Sequence, residues 1–184
     1  MSHIGNKIKA GYFRTPDKQG EHLRSLLQFT GDVACFDPTC GEGLILEQLT
    51  SNIEEYEVKS YGVELDKRRA AEATNRLHTV VQAPIESMVI SHNSFGFLFL
   101  NPPYDHTMLG IGDDEKSERK EYTELVRNTK YLMPAGIIVY IIPSYRFADK
   151  RIARYLATNF EDVAVTKFSS EDYEDFRQCV CATC

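Results

Sequence analysis

Short, nearly continuous apolar runs recur along this chain, separated by longer mixed segments. The runs "VACFDP", "KSYGVELD", "HTVVQAP", "GFLFLNPP", "GIIVYIIP" and "DVAVTKF" predict strands. The segment "GEHLRSLLQFT", with Leu23, Leu26 and Leu27 on one side, predicts a helix. So do "GLILEQLTSNI", "KRRAAEATNRL", "RKEYTELVRNTKYL" and "DKRIARYLATNF". A last run, "RQCVCATC", is placed to pair with "DVAVTKF" through the polar connection "SSEDYED", which suits an antiparallel hairpin. Strands that alternate with helices and are apolar on both faces predict a parallel sheet covered on both sides. In open sheets of that kind a ligand sits beyond the carboxyl ends of the strands.

At 184 residues, 42% hydrophobic and 26% charged, the chain has the size and composition of one globular domain. No apolar run is long enough to span a bilayer, and "MSHIGNKIKAGYFRTPDKQG" has no signal-type stretch, so a cytoplasmic location is expected. The net charge of −6 argues against non-specific nucleic-acid binding by bulk charge, but not against a local basic face. "SYRFADKRIAR" offers one, with Arg146, Lys150, Arg151 and Arg154; the alternative is a solvated helix surface. Five cysteines, Cys35, Cys40, Cys179, Cys181 and Cys184, are odd in number and unevenly spaced, which argues against a disulfide framework. "CVCATC" lacks a second paired motif and reads as small apolar residues of a strand rather than a metal site. The five histidines, His3, His22, His78, His92 and His106, are scattered; His106 sits in a polar loop after the fourth strand.

The candidate chemistry lies at strand ends. The first strand ends in "FDPTCGEG", where Asp37 leaves the strand and Gly41 and Gly43 permit a tight turn into a helix. Asp37 is placed to accept a ligand ammonium, and no G-x-G-x-x-G dinucleotide fingerprint is present. The second strand ends in "GVELD", where Glu64 is placed to grip the hydroxyls of a ribose and Asp66 to cap the next helix. The fourth ends in Asn101-Pro102-Pro103-Tyr104. The prolines supply no backbone donors, so the chain leaves the sheet there and holds one amide, one carbonyl and one ring on a stiffened backbone.

With these motifs in this order, the sequence resembles the class I S-adenosylmethionine-dependent methyltransferases, of the adenine-specific DNA methyltransferase type. "DPTCGEG" is similar to the family's cofactor loop, "GVELD" to its ribose-binding strand end, and "NPPY" to its catalytic signature. "GYFRTPDKQGEHL" is similar to the N-terminal segment that closes over the methionine part of the cofactor. The resemblance implies a Rossmann-like fold: a mostly parallel seven-stranded sheet, helices on both faces and an antiparallel last hairpin. It implies S-adenosylmethionine as cofactor. Phe13, Arg14, Thr15 and Pro16 would contact its methionine moiety. Asp37, Pro38, Thr39, Gly41 and Gly43 would form the cofactor loop. Glu64 would bind the ribose, with Leu65 against the adenine. The family often has an Asp after the third strand that bonds the adenine; here "VVQAPIESM" puts Ala83 or Pro84 there, with Ile85 to pack on the ring and Glu86 or Ser87 to supply a polar contact.

Asn101, Pro102, Pro103 and Tyr104 would hold the target. An exocyclic amine on an aromatic base is a poor nucleophile, because its lone pair is delocalised into the ring. The Asn101 side-chain oxygen and the Pro102 carbonyl supply two acceptors for its hydrogens, and Tyr104 a ring on which a flipped base stacks. Phe168, Tyr173 and Phe176, on the last hairpin, are candidates for the other face of the base, with packing as the alternative. The expected acceptor is adenine in DNA. RNA adenine and a protein glutamine amide reuse the same signature, and a catalytically silent cofactor-binding scaffold is the non-enzymatic reading. Residues 1–184 are expected to form a single catalytic domain, with 1–30 as the cofactor-closing segment and helix. No separate target-recognition domain follows, so a recognition subunit or a further C-terminal domain is the expected partner.

Overall fold

The computed structural model describes residues 14–102, 114–168 and 178–183, without the side chains of 114–119 and 178–183. Among the described residues, five helices and seven strands follow in the order α1 (Asp17–Leu26), β1 (Val33–Asp37), α2 (Leu44–Thr50), β2 (Val58–Glu64), α3 (Lys67–Ala73), β3 (Thr79–Gln82), β4 (Phe95–Leu100), α4 (Asp114–Asn128), β5 (Leu132–Pro143), α5 (Lys150–Asn159), β6 (Ala164–Lys167) and β7 (Gln178–Thr183). The strands form one sheet in the order β3-β2-β1-β4-β5-β7-β6. The first five pair in parallel, whereas β7 runs antiparallel to both β5 and β6.

The alternation of side chains along the central strands builds two cores, one on each face. Phe36, Leu98, Leu100, Ile138, Tyr140 and Ile142 point to one face, where Leu125 of α4 and Ile152 and Leu156 of α5 cover them. Cys35, Phe97, Phe99, Val139 and Ile141 point to the other, against Leu23 of α1 and Leu46 and Leu49 of α2. Each such side chain contributes roughly 1.5–3 kcal/mol by burial. Burial on both faces explains why "FLFL" and "IIVYII" carry no polar positions. Phe168 is 1% exposed within the second core, so it packs there and does not face a base.

Local departures from the sequence pattern have local causes. In β5 the ladder passes from Phe95↔Leu132 to Phe97↔Ile137, so the chain bulges over 133–136 and the strand starts four residues before "GIIVYIIP". Helix α1 starts at Asp17, ahead of "GEHL", because the Pro16 carbonyl accepts from the amides of Gln19 (3.0 Å) and Gly20 (3.1 Å). Gly20 lies within this helix against α2, where an added Cβ would displace the end of the Gln48 side chain and crowd Ile45. Among the described residues no helix is long and apolar enough to cross a membrane.

Candidate functional site

Strands β1, β2 and β4 end side by side, and their ends surround a cavity of about 220 Å³. From β1 and its loop come Asp37, Pro38 and Thr39; from β2, Glu64 and Leu65; from β4, Asn101 and Pro102. Ala83, Pro84, Ile85 and Glu86 close it after β3, and Arg14 and Thr15 enter from ahead of α1. Most of the predicted site residues therefore line one space. Pro16, Gly41 and Gly43 do not line it. Pro16 caps α1, and the two glycines shape the loop behind the wall. Gly41 (φ 57°) and Gly43 (φ 79°) hold left-handed conformations that cost an L side chain energy. Ser87 is also outside the lining; its hydroxyl donates to the Pro84 carbonyl at 2.9 Å. Phe13, Pro103, Tyr104, His106, Tyr173 and Phe176 lie outside the described residues.

The cavity floor is acidic. Asp37 is 2% exposed and accepts from the Thr39 amide at 2.9 Å. Burial pushes its carboxyl up to about 7, the Thr39 hydrogen bond opposes this, and the neighbouring Glu64 charge adds to it. Glu64 is knitted into the fold. Its Oε2 accepts from the Gly41 amide at 2.9 Å, and its Oε1 from the Asp66 amide and Arg69 Nη2, both at 2.7 Å. The glycine loop and the acid at the end of β2 are thus one hydrogen-bonded unit. Asp66 caps α3 as expected, accepting from the Arg69 amide at 2.9 Å.

Asn101 is held from two sides. Its Nδ2 donates to Thr15 Oγ1 at 3.3 Å, and its backbone carbonyl accepts from Thr39 Oγ1 at 3.3 Å. Thr15 is 5% exposed. The sequence assigns Thr15 and Thr39 to the cofactor; the geometry adds that both orient the residue expected to hold the acceptor. The Thr15 hydroxyl anchors the Asn101 side-chain amide in this position.

Arg69, Lys120, Glu124 and Phe99 also line the cavity, and motif reading missed them. Arg69 sits in "KRRAAEA", which reads as a solvated helix; its position five residues after Glu64 is the one signal available. Lys120 and Glu124, four apart in α4, carry none. Arg146 departs from the basic face assigned to it. It is 4% exposed, with Nε 3.3 Å from Glu121 Oε1, so only Lys150, Arg151 and Arg154 of that group reach the surface. The described residues hold no cluster of metal-ligating side chains, and burial pushes the Cys35 thiol up to about 12.

Comparison with known proteins gives this strand-end cavity a family. The model of an uncharacterised methyltransferase family, DUF6094, matches residues 1–183. The chain belongs to that family. No functionally curated protein matches the sequence. Among solved structures, a candidate class I S-adenosylmethionine-dependent methyltransferase from Listeria monocytogenes superposes with a TM-score of 0.75 at 15% identity, over 98% of this chain and 63% of the other. A methyltransferase from Pyrococcus furiosus gives 0.62 at 15% identity, over 92% and 81%. The N-methyltransferase NodS from Bradyrhizobium japonicum gives 0.60 at 14% identity, over 91% and 94%. The chain thus spans under two thirds of the Listeria protein. At these identities the likeness shows the methyltransferase fold, Rossmann-like with a parallel sheet.

Proposed function

We propose that this protein transfers a methyl group from S-adenosylmethionine to the exocyclic amine of adenine in DNA. The observation that carries the reading is the convergence, in one cavity, of Asn101-Pro102 with the glycine-loop unit and with Thr15 of the N-terminal segment.

The residues present fit the cofactor. Its cationic groups suit an acidic floor made by Asp37 and Glu64. Ile85, which is buried, and Leu65, which is 64% exposed, offer apolar surface to an adenine ring. A carboxylate has about four acceptor sites. Three on Glu64 are taken, so Glu64 accepts one ribose hydroxyl and Arg69 donates to the other. Arg14, which pairs with Asp17 at the mouth, is the cation for the carboxylate. When bound, the cofactor supplies an electrophilic methyl group on a sulfonium.

The chain's task is then positioning. Asn101 Oδ1 and the Pro102 carbonyl accept the two hydrogens of the target amine, which turns its lone pair toward the methyl group. Thr15 holds the Asn101 side chain in place, and Thr39 restrains the backbone at the same residue. Phe99 and Pro102 help to exclude water from the reacting atoms. Tyr104 stacks on the flipped base, at ~1–3 kcal/mol. A recognition subunit or a further domain supplies the sequence reading.

The test is methyl incorporation from labelled S-adenosylmethionine into unmethylated DNA, bulk RNA and a protein extract, assayed separately. Label in DNA that Asn101→Ala lowers at least ~100-fold supports the reading. Label in RNA or in protein instead overturns the acceptor. Loss of cofactor binding in the unaltered chain overturns the reading entirely.

A further inference from the structure

A second concavity, of about 340 Å³, lies on the other side of α4, in the groove between α4 and α5. It is lined by Tyr122 of α4 and by Lys150, Arg151, Arg154, Tyr155 and Thr158 of α5. The tyrosines form its floor, edge to face with centroids 6.1 Å apart, and Tyr155 is pinned by a 2.6 Å hydrogen bond with the Thr129 hydroxyl. Arg151 is also fixed. Its guanidinium lies 5.7 Å over the Tyr122 ring and meets Asp149 through Nε (3.1 Å) and Nη2 (2.7 Å).

Lys150 and Arg154 have no such partners. Both are exposed, and neither forms an ion pair among the described residues. Their arrangement opposes helix stability twice. Like charges four residues apart on one helix face repel, and Lys150 occupies the first turn of α5, where the helix dipole disfavours a cation. A chain of net charge −6 thus gathers three cations on one groove, where Asp149 meets Arg151. Among the described residues no ion pair offsets the Lys150 and Arg154 charges, and an external anion would.

The α5 end of the groove follows the carboxyl edge of the sheet. Leu100 at the end of β4 pairs with Tyr140 of β5, and β5 runs three residues further, roughly 10 Å, before the turn that starts α5. The start of α5, with Lys150 and Arg151, thus follows the same carboxyl edge of the sheet from which Asn101 emerges. A nucleic-acid strand with one base in the cavity would extend along this edge.

We propose that the α4–α5 groove binds the phosphate backbone of the nucleic-acid substrate, with Lys150 and Arg154 as the charge contacts and Arg151, held by Tyr122, as a fixed donor. This rests on the nucleic-acid reading of the cavity. It also explains how an acidic protein engages DNA, since each phosphate contact releases counterions whatever the net charge.

The test is Lys150→Gln/Arg154→Gln against the unaltered protein, with an unmethylated random-sequence DNA duplex as probe. Losing two phosphate contacts should make the slope of log affinity on log salt shallower by about 1.8, so the affinity advantage of the unaltered protein should shrink roughly twelvefold from ~50 to ~200 mM salt. KM for DNA should rise, with kcat and cofactor affinity unchanged. Lys150→Arg/Arg154→Lys should keep the original slope, which a merely structural role would not require. DNA methylation by the unaltered protein with the same slope in the glutamine variant overturns the groove alone. A protein that methylates a protein substrate and binds no nucleic acid overturns both the groove and the acceptor.

Discussion

Replacing Asp37 by Asn should make this protein more stable and a worse binder of its cofactor. The Asp37 carboxyl is raised from 3.8 to about 7 by burial and by the Glu64 charge. Between those values the folded state holds a proton that the unfolded state has lost, so stability falls as pH rises and is lowest above pH ~7. The gap corresponds to ~4 kcal/mol at ~1.36 kcal/mol per pH unit. Asn keeps an acceptor for the Thr39 amide, which Asp37 holds at 2.9 Å, and removes the repulsion with Glu64. Even half of that energy raises Tm by roughly 4–8 °C for a chain of this size. Thermal or urea unfolding across the pH range is the assay. From pH ~5 to ~7 the unaltered protein should lose ~2–3 kcal/mol relative to Asp37→Asn, and no more above pH ~8. In the same titration its affinity for S-adenosylmethionine should climb toward pH ~7, because binding a cation favours the ionised carboxyl, and the Asn variant should show no such climb. A variant equally destabilised at every pH, or one that binds the cofactor as well as the original, would refute the assignment of Asp37 as a strained anion kept for a cationic ligand.

Thr15→Val should lower kcat by roughly 3- to 10-fold through loss of one hydrogen bond to Asn101, leave KM for DNA unchanged, and be rescued by Thr15→Ser; steady-state kinetics check this. Gly62→Ala should destabilise by about 1–3 kcal/mol in urea unfolding, because the new Cβ would sit 2.5 Å from Cys40 Sγ, in the wall behind the glycine loop. Asp66→Ala should cost ~1 kcal/mol by removing the cap of α3, with the same readout.

The sheet was legible because its strands are apolar on both faces, and that same fact hid their ends. "GIIVYIIP" gives no hint that the ladder resumes at Leu132 beyond a bulge. Helices α2 and α3 stop earlier than their patterns, at Thr50 and Ala73. That Asn101, Asp37 and Glu64 would face one cavity was legible from their place at strand ends. Residues that act through other side chains were not. Arg69 meets Glu64 one helical turn into α3, and Thr15 meets Asn101 across 86 positions of sequence. Arg146 was misread because charge alone does not tell an exposed arginine from one buried against Glu121. The left-handed backbone of Gly41 and Gly43 shapes the loop that joins Glu64 to the start of α2, a contact that motif reading does not show.

The most direct measurement is the mass of the nucleosides released from unmethylated DNA after incubation with the protein and S-adenosylmethionine. The account predicts N6-methyldeoxyadenosine, with Asn101→Ala leaving adenine unmodified while still binding the cofactor. Methylation at a ring carbon, or N6-methyldeoxyadenosine formed equally well by Asn101→Ala, would contradict it.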